Sequence, residues 1–108
     1  MRWLLGILAL PALLTGCSRS RFREACTSAQ PGERTSALGE RLERRGGRYL
    51  GKVGPEHQWF QPFGFFRTQT CAVTDDLPPN PVAPDPRVPV PNESRVVHVR
   101  YVEGHDLL

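Results

Sequence analysis

Hydrophobic and polar positions divide the chain into four regimes. Residues 3–14 are uncharged and almost wholly apolar, with Pro11 the one helix-breaking interruption. Residues 33–45 are mostly Glu and Arg, but Leu38 and Leu42 stand four apart, which puts both on one side of a 3.6-residue repeat and predicts a single helix. Thr35 or Ser36 offers its N-cap, and Gly46-Gly47 stops it. From Arg48 the period shortens towards two. Arg48–Val53 and His57–Gln61 flank Gly54-Pro55-Glu56 as a hairpin, Gln61-Pro62-Phe63-Gly64 suits a type I turn, and Phe65–Val73 reads as a third strand with Gln69, Cys71 and Val73 on one face. Residues 78–91 hold seven prolines, so that segment is expected to be an extended strap without a hydrogen-bonded ladder. Arg95–Val102 follows as a strand, with Val97, Val99 and Tyr101 towards the core. The pattern predicts an α+β fold: one helix packed on a small antiparallel sheet of three or four strands, with a proline-rich crossover.

Aromatics change the picture at one place. Trp59-Phe60-Gln61-Pro62-Phe63-Gly64-Phe65-Phe66 holds five of the chain's nine aromatic side chains. Five such residues cannot all point to one side of a period-2 strand, so the cluster is expected to divide between core and surface. Trp59, Phe60 and Phe63 are the candidate interaction residues. Trp59, beside polar Gln58, is expected to face outward, while Phe65 and Phe66 open the third strand.

At the end of the apolar run stand Leu14-Thr15-Gly16-Cys17, an aliphatic residue, two small residues and a cysteine thiol. This stretch, after Met1-Arg2 and an apolar run, resembles the lipobox of bacterial lipoproteins. A spanning helix needs about 20 apolar residues, so the run is too short for one. The resemblance implies a signal peptide over residues 1–16, lipidation of Cys17, a lipidated tether over 17–32 and a domain over 33–108. Ser18 after the cysteine implies sorting to the outer membrane, facing the periplasm. The membrane is then a partner through the N-terminal lipid, and Arg19, Arg21 and Arg23 near it would favour anionic headgroups.

Composition adds a limit and a staple. From Cys17 onward Leu, Ile, Val and Phe fill 20 of 92 positions, a thin supply for a core. Lipidation of Cys17 would leave Cys26 and Cys71 in an oxidising compartment, where they are expected to pair. A bridge closing about 45 residues stabilises by about 4 kcal/mol on the chain-entropy estimate. Basic side chains from Cys17 on outnumber acidic ones by only two, without a concentrated basic face, so no nucleic-acid partner is expected. His57, His98 and His105 share no metal-ligand spacing, and no nucleophile elbow, carboxylate pair or phosphate loop accompanies them. No cofactor, metal or catalytic residue is therefore assigned. The sequence points to a non-enzymatic accessory or structural subunit of an envelope complex with a protein partner, the alternative being a module that binds cell-wall glycan or peptide through the aromatic patch.

Overall fold

The computed structural model describes residues 18–105; the lipobox, Leu14 to Cys17, lies outside them. Two helices, not the expected one, precede a four-stranded antiparallel sheet. They are α1, Ser18–Thr27, and α2, Thr35–Arg44. The strands are β1, Arg48–Val53; β2, Glu56–Phe63; β3, Arg67–Asp75; and β4, Val96–His105, arranged as a meander in the order β1-β2-β3-β4. Both helices lie on one face of the sheet, over Trp59, Cys71 and Val73.

The extra helix occupies the stretch expected to be a tether. Phe22 and Cys26, four apart, are its buried stripe, and both are fully enclosed. Ten residues with two enclosed side chains would not stay helical in water. Tertiary contact holds α1 in place: Cys26 is bridged to Cys71 with a Cα separation of 5.7 Å, and Phe22 packs with Leu38 and Leu42 of α2. Burial of one phenylalanine adds about 2 kcal/mol.

At its start α2 departs from the expected cap. Arg34 is the N-cap and no side chain caps the helix; Thr35 is buried, and its backbone N–H donates to Ser94 O at 3.0 Å. The stop is as expected. Gly46 takes a φ of 91°, which an L side chain resists, and Gly47 N–H donates to Leu42 O at 2.9 Å. Gln61 reaches from β2 and donates to Arg45 O at 2.7 Å, fixing that end of the helix to the sheet.

Sheet register corrects three sequence expectations. First, β2 runs through Pro62, which pairs with Thr68, and the turn falls at Gly64-Phe65-Phe66. Proline is tolerated because β1 begins at Arg48, opposite Phe60, leaving no β1 residue to receive a Pro62 N–H. Second, a bulge at Thr74/Asp75 pairs Asp75 with Val96, so Val96 enters the core while Val97, expected inside, is exposed. Third, the third strand starts at Arg67 rather than Phe65, and this moves Phe65 and Phe66 from the sheet to the hairpin tip.

The strap crosses without helix or strand over residues 78–91, as its prolines require. Its ends are drawn together, Asp76 N–H donating to Arg95 O at 3.1 Å and Arg95 N–H to Asp76 Oδ1 at 2.9 Å. Midway it lies on edge strand β1. Asn80 donates from its backbone to Gly54 O and from its side chain to Lys52 O, both at 2.8 Å, which occupies carbonyls that an edge would otherwise expose. Gly51, at φ 102°, permits the contact: a Cβ there would stand 2.7 Å from Asp85 N.

Trp59 is the central residue of the core, 1% exposed, and the expectation that it faces outward is overturned. Its ring is covered by α2 at Gly39, where a Cβ would come within 2.5 Å of Trp59 Cζ2. Gly39→Ala should destabilise the fold by about 1 to 3 kcal/mol, read from urea unfolding, because the helix must lift off the indole. Reduction of the disulfide, or Cys26→Ser with Cys71→Ser, should cost about 4 kcal/mol in the same assay; an unchanged midpoint would remove the disulfide as the main staple.

Candidate binding cleft

Beneath the strap, on the helix-bearing face of β1 and β2, lies a cleft of about 420 Å³. Its walls are mostly apolar, Leu77, Val82 and Val88 with strap prolines, interrupted by Asn80 and Asp85. Its floor is polar, formed by Tyr49 and Lys52 of β1 and His57 of β2. A bulge between Tyr49 and Gly51 brings these together, because it turns Lys52 to the same face as Tyr49 while His57 pairs directly with Lys52.

The floor rests on a buried carboxylate. Asp75, whose side chain has no solvent exposure, sits at the end of β3 and accepts four hydrogen bonds. Lys52 Nζ donates to Oδ1 at 2.9 Å and Leu77 N–H to the same oxygen at 3.3 Å. His57 Nε2 lies 2.8 Å from Oδ2, and the Ser94 hydroxyl donates to Oδ2 at 2.6 Å. Ser94 Oγ is also 2.7 Å from Thr35 Oγ1; with its single proton committed to Asp75, Ser94 accepts from Thr35 there. Lys52 makes a further bond to Pro78 O at 2.8 Å.

Proton positions follow from this arrangement. Burial works to raise the Asp75 pKa, but donation by Ser94, Lys52 and His57 outweighs it and holds the carboxyl below the ordinary range. An ionised Asp75 only accepts, so His57 Nε2 carries the hydrogen, and Nδ1, 2.7 Å from the Tyr49 hydroxyl, accepts from it. Burial lowers the His57 pKa despite the neighbouring carboxylate, so the ring is neutral. The Tyr49 phenol is pushed up to about 12, first by burial and then by the charge of Asp75. Both nitrogens of His57 are thus engaged and Tyr49 keeps its proton. Chemically the array can orient a guest by the Tyr49 oxygen and the Lys52 ammonium, but it offers no free base near neutrality.

Sequence reasoning placed the interaction residues elsewhere. Trp59 is in the core; Phe60, half-buried, points from the opposite face beside Thr70; Phe63, half-buried, lies at the tip end of β2. The three do not form one patch. Cys26 and Cys71 do pair, as two cysteines in an oxidising compartment imply; the local sequence pattern showed nothing else of this region. It missed Tyr49, Lys52, His57 and Asp75, whose association depends on the β2–β3 register: His57 pairs with Val73, which sets Asp75 two residues further along the same face. A hairpin turn placed at Gly64-Phe65-Phe66 rather than Gln61–Gly64 would have revealed it. Among the described residues no group of His, Cys, Asp and Glu forms a metal site. One buried side-chain nitrogen among them, Trp59 Nε1, has no hydrogen-bond partner.

The network predicts acid sensitivity in two stages. Because the native His57 pKa is lowered from 6.5, the unfolded chain binds the extra proton, and stability falls as pH drops below 6.5. Because the native Asp75 pKa is also lowered, from 3.8, a second loss follows below that value. The melting temperature should therefore be highest above pH 6.5. His57→Gln, which keeps a donor for Asp75, should melt lower overall but abolish the first stage; curves of the same shape in both proteins would exclude His57 as its source. In comparisons with protein-family models, curated proteins and solved structures, the chain matches none, and its function rests on the geometry described above.

Proposed function

We propose that this protein is a non-enzymatic accessory subunit of an envelope complex, held through lipidated Cys17 at the periplasmic face of the outer membrane and presenting its proline strap to a protein partner. The lipobox resemblance of Leu14-Thr15-Gly16-Cys17 supports the anchor. Among the described residues no helix is long and apolar enough to cross a membrane. The strap is the observation that carries the partner-binding role. It is tied at both ends and along β1, yet it displays Val82 and Val88, both largely exposed, among prolines. A stiff, pre-ordered apolar segment loses little conformational entropy on docking, which favours recognition by a protein surface. The engaged proton positions at Tyr49 and His57 support binding over catalysis.

A second reading is favoured by the cleft itself. Apolar walls with the Lys52 ammonium and the Tyr49 oxygen at the floor suit an apolar side chain of a peptide whose carbonyl accepts from Lys52 and whose N–H donates to Tyr49. The aromatic-patch version of ligand binding loses its main residue, since Trp59 is enclosed.

A photoreactive amino acid at Pro84 or Arg87, exposed strap positions outside the cleft lining, in cells that make the full chain, should give one discrete protein adduct from both positions. The N-terminus of the mature protein should have the mass of diacylglyceryl-Cys17. Adducts from Leu77 alone would favour the cleft, and an unmodified N-terminus at another residue would overturn the anchor.

A further inference from the structure

Among the described residues Phe65 and Phe66 are the largest exposed apolar side chains, 89% and 57% exposed at the β2–β3 tip, with their rings edge to face at 5.6 Å. Phe66 is also held at a φ of 55°, a left-handed conformation that a bulky residue rarely adopts. Neither aromatic contributes to the core. The fold thus spends a strained turn on keeping two phenylalanines in water.

Their position relative to the chain's N-terminus gives them a use. From Cys26, bridged to Cys71 in mid-sheet, α1 runs backwards past Phe22 to Arg21, which lines one pocket with Arg45 at the end of α2. Phe22, one turn upstream, packs where a Cβ at Gly47 would stand 2.7 Å from its ring, and Gly47 directly precedes the start of β1. The last turn of α2 lies at this end too, fastened by Gln61 to Arg45 O. Eight residues of helix between Cys26 and Ser18 rise about 12 Å, and four residues of strand between Cys71 and Arg67 span about 13 Å. The start of α1, immediately after Cys17, therefore lies towards the end of the sheet that carries the aromatic tip. Arg21, Arg44, Arg45, Arg48 and Arg67 are exposed at this pole, against Glu24, Glu43 and Glu103.

We infer that this pole is a bilayer-contacting surface: the Phe65-Phe66 tip enters the headgroup region of an anionic membrane while the surrounding arginines meet its phosphates. The inference rests on the proposed anchor at Cys17, which would deliver this end of the molecule, and not the strap end, to the lipid. It assigns the protein an orientation, with the strap and cleft held away from the membrane and open to the periplasm. Aromatic rings with a basic surround are the chemistry of an interfacial membrane contact.

Tryptophan placed in turn at Phe65 and at Asn92, on the strap side, tests this in the purified mature protein reconstituted into vesicles of equal parts phosphatidylcholine and phosphatidylglycerol. With brominated acyl chains as quencher and the enclosed Trp59 signal subtracted, Phe65→Trp should lose most of its emission and Asn92→Trp almost none. In pure phosphatidylcholine the quenching at position 65 should weaken, as should quenching in the mixed vesicles at high salt. Equal quenching at both positions, or none at 65, overturns the inference; a concentration-dependent dimer that shields position 65 would assign the tip to a second copy instead. Mass spectrometry of the same sample separates the two readings. If Cys17 carries no lipid the anchor fails, while quenching at 65 by vesicles added to that unlipidated protein would still uphold the contact.

Discussion

Asp75 is a carboxylate withdrawn entirely from water in a chain with little apolar material to spare. Moving such a charge out of solvent costs several kcal/mol after relaxation, and only a matched set of donors offsets it. Here the donors come from places far apart in sequence: Lys52 on β1, His57 on β2, Leu77 at the root of the strap and Ser94 at its far end, with Thr35 of α2 one bond beyond. Satisfying one residue therefore fixes the start of α2, both ends of the strap and the order of the first three strands at that end of the sheet. Loss of Asp75 would leave the half-buried Lys52 beside neutral groups, whereas loss of one donor would leave the carboxylate under-satisfied. Either way, the damage spreads through the whole end of the molecule.

The opposite end is organised by different means. There the Phe22 and Leu42 contact and the Gln61 bond to Arg45 O hold the helices to the sheet, with the disulfide tying α1 to mid-sheet. A second polar ladder continues along β2, β3 and β4, Gln69 donating to Gln61 Oε1 and Tyr101 to Gln69 Oε1, each at 2.6 Å. With a core this thin, two polar networks and one covalent bond do work that larger domains leave to aliphatic packing.

What the sequence made legible was whatever depends on local chemistry. Leu38 and Leu42 announced α2, Gly46-Gly47 its end, the prolines the strap, and two cysteines their bond. What it concealed depends on partners distant in the chain. In α1, Phe22 and Cys26 are too few to signal a helix, and the arginines around them read as a tether; tertiary burial, not propensity, decides the outcome. Pro62 looked like a turn residue because nothing local shows that β1 ends before it. That single misplacement shifted the hairpin, put Phe65 and Phe66 in a strand instead of at its tip, and hid the pairing that sets His57 beside Asp75; Trp59 was misjudged separately, from its polar neighbour Gln58. Val97 was misassigned for a similar reason, since a bulge leaves no mark in an alternating valine-rich run.

The bond between Cys26 and Cys71 also sets how the molecule would carry tension. A pull on the N-terminus reaches Cys71 after only the residues of α1 that precede Cys26, and there it enters β3, an inner strand hydrogen-bonded on both sides. Its ladders with β2 and β4 would then share the load. Residues 18–25 can unwind under such a load and lengthen the leash, while the sheet, the strap and the cleft beneath it keep their shape.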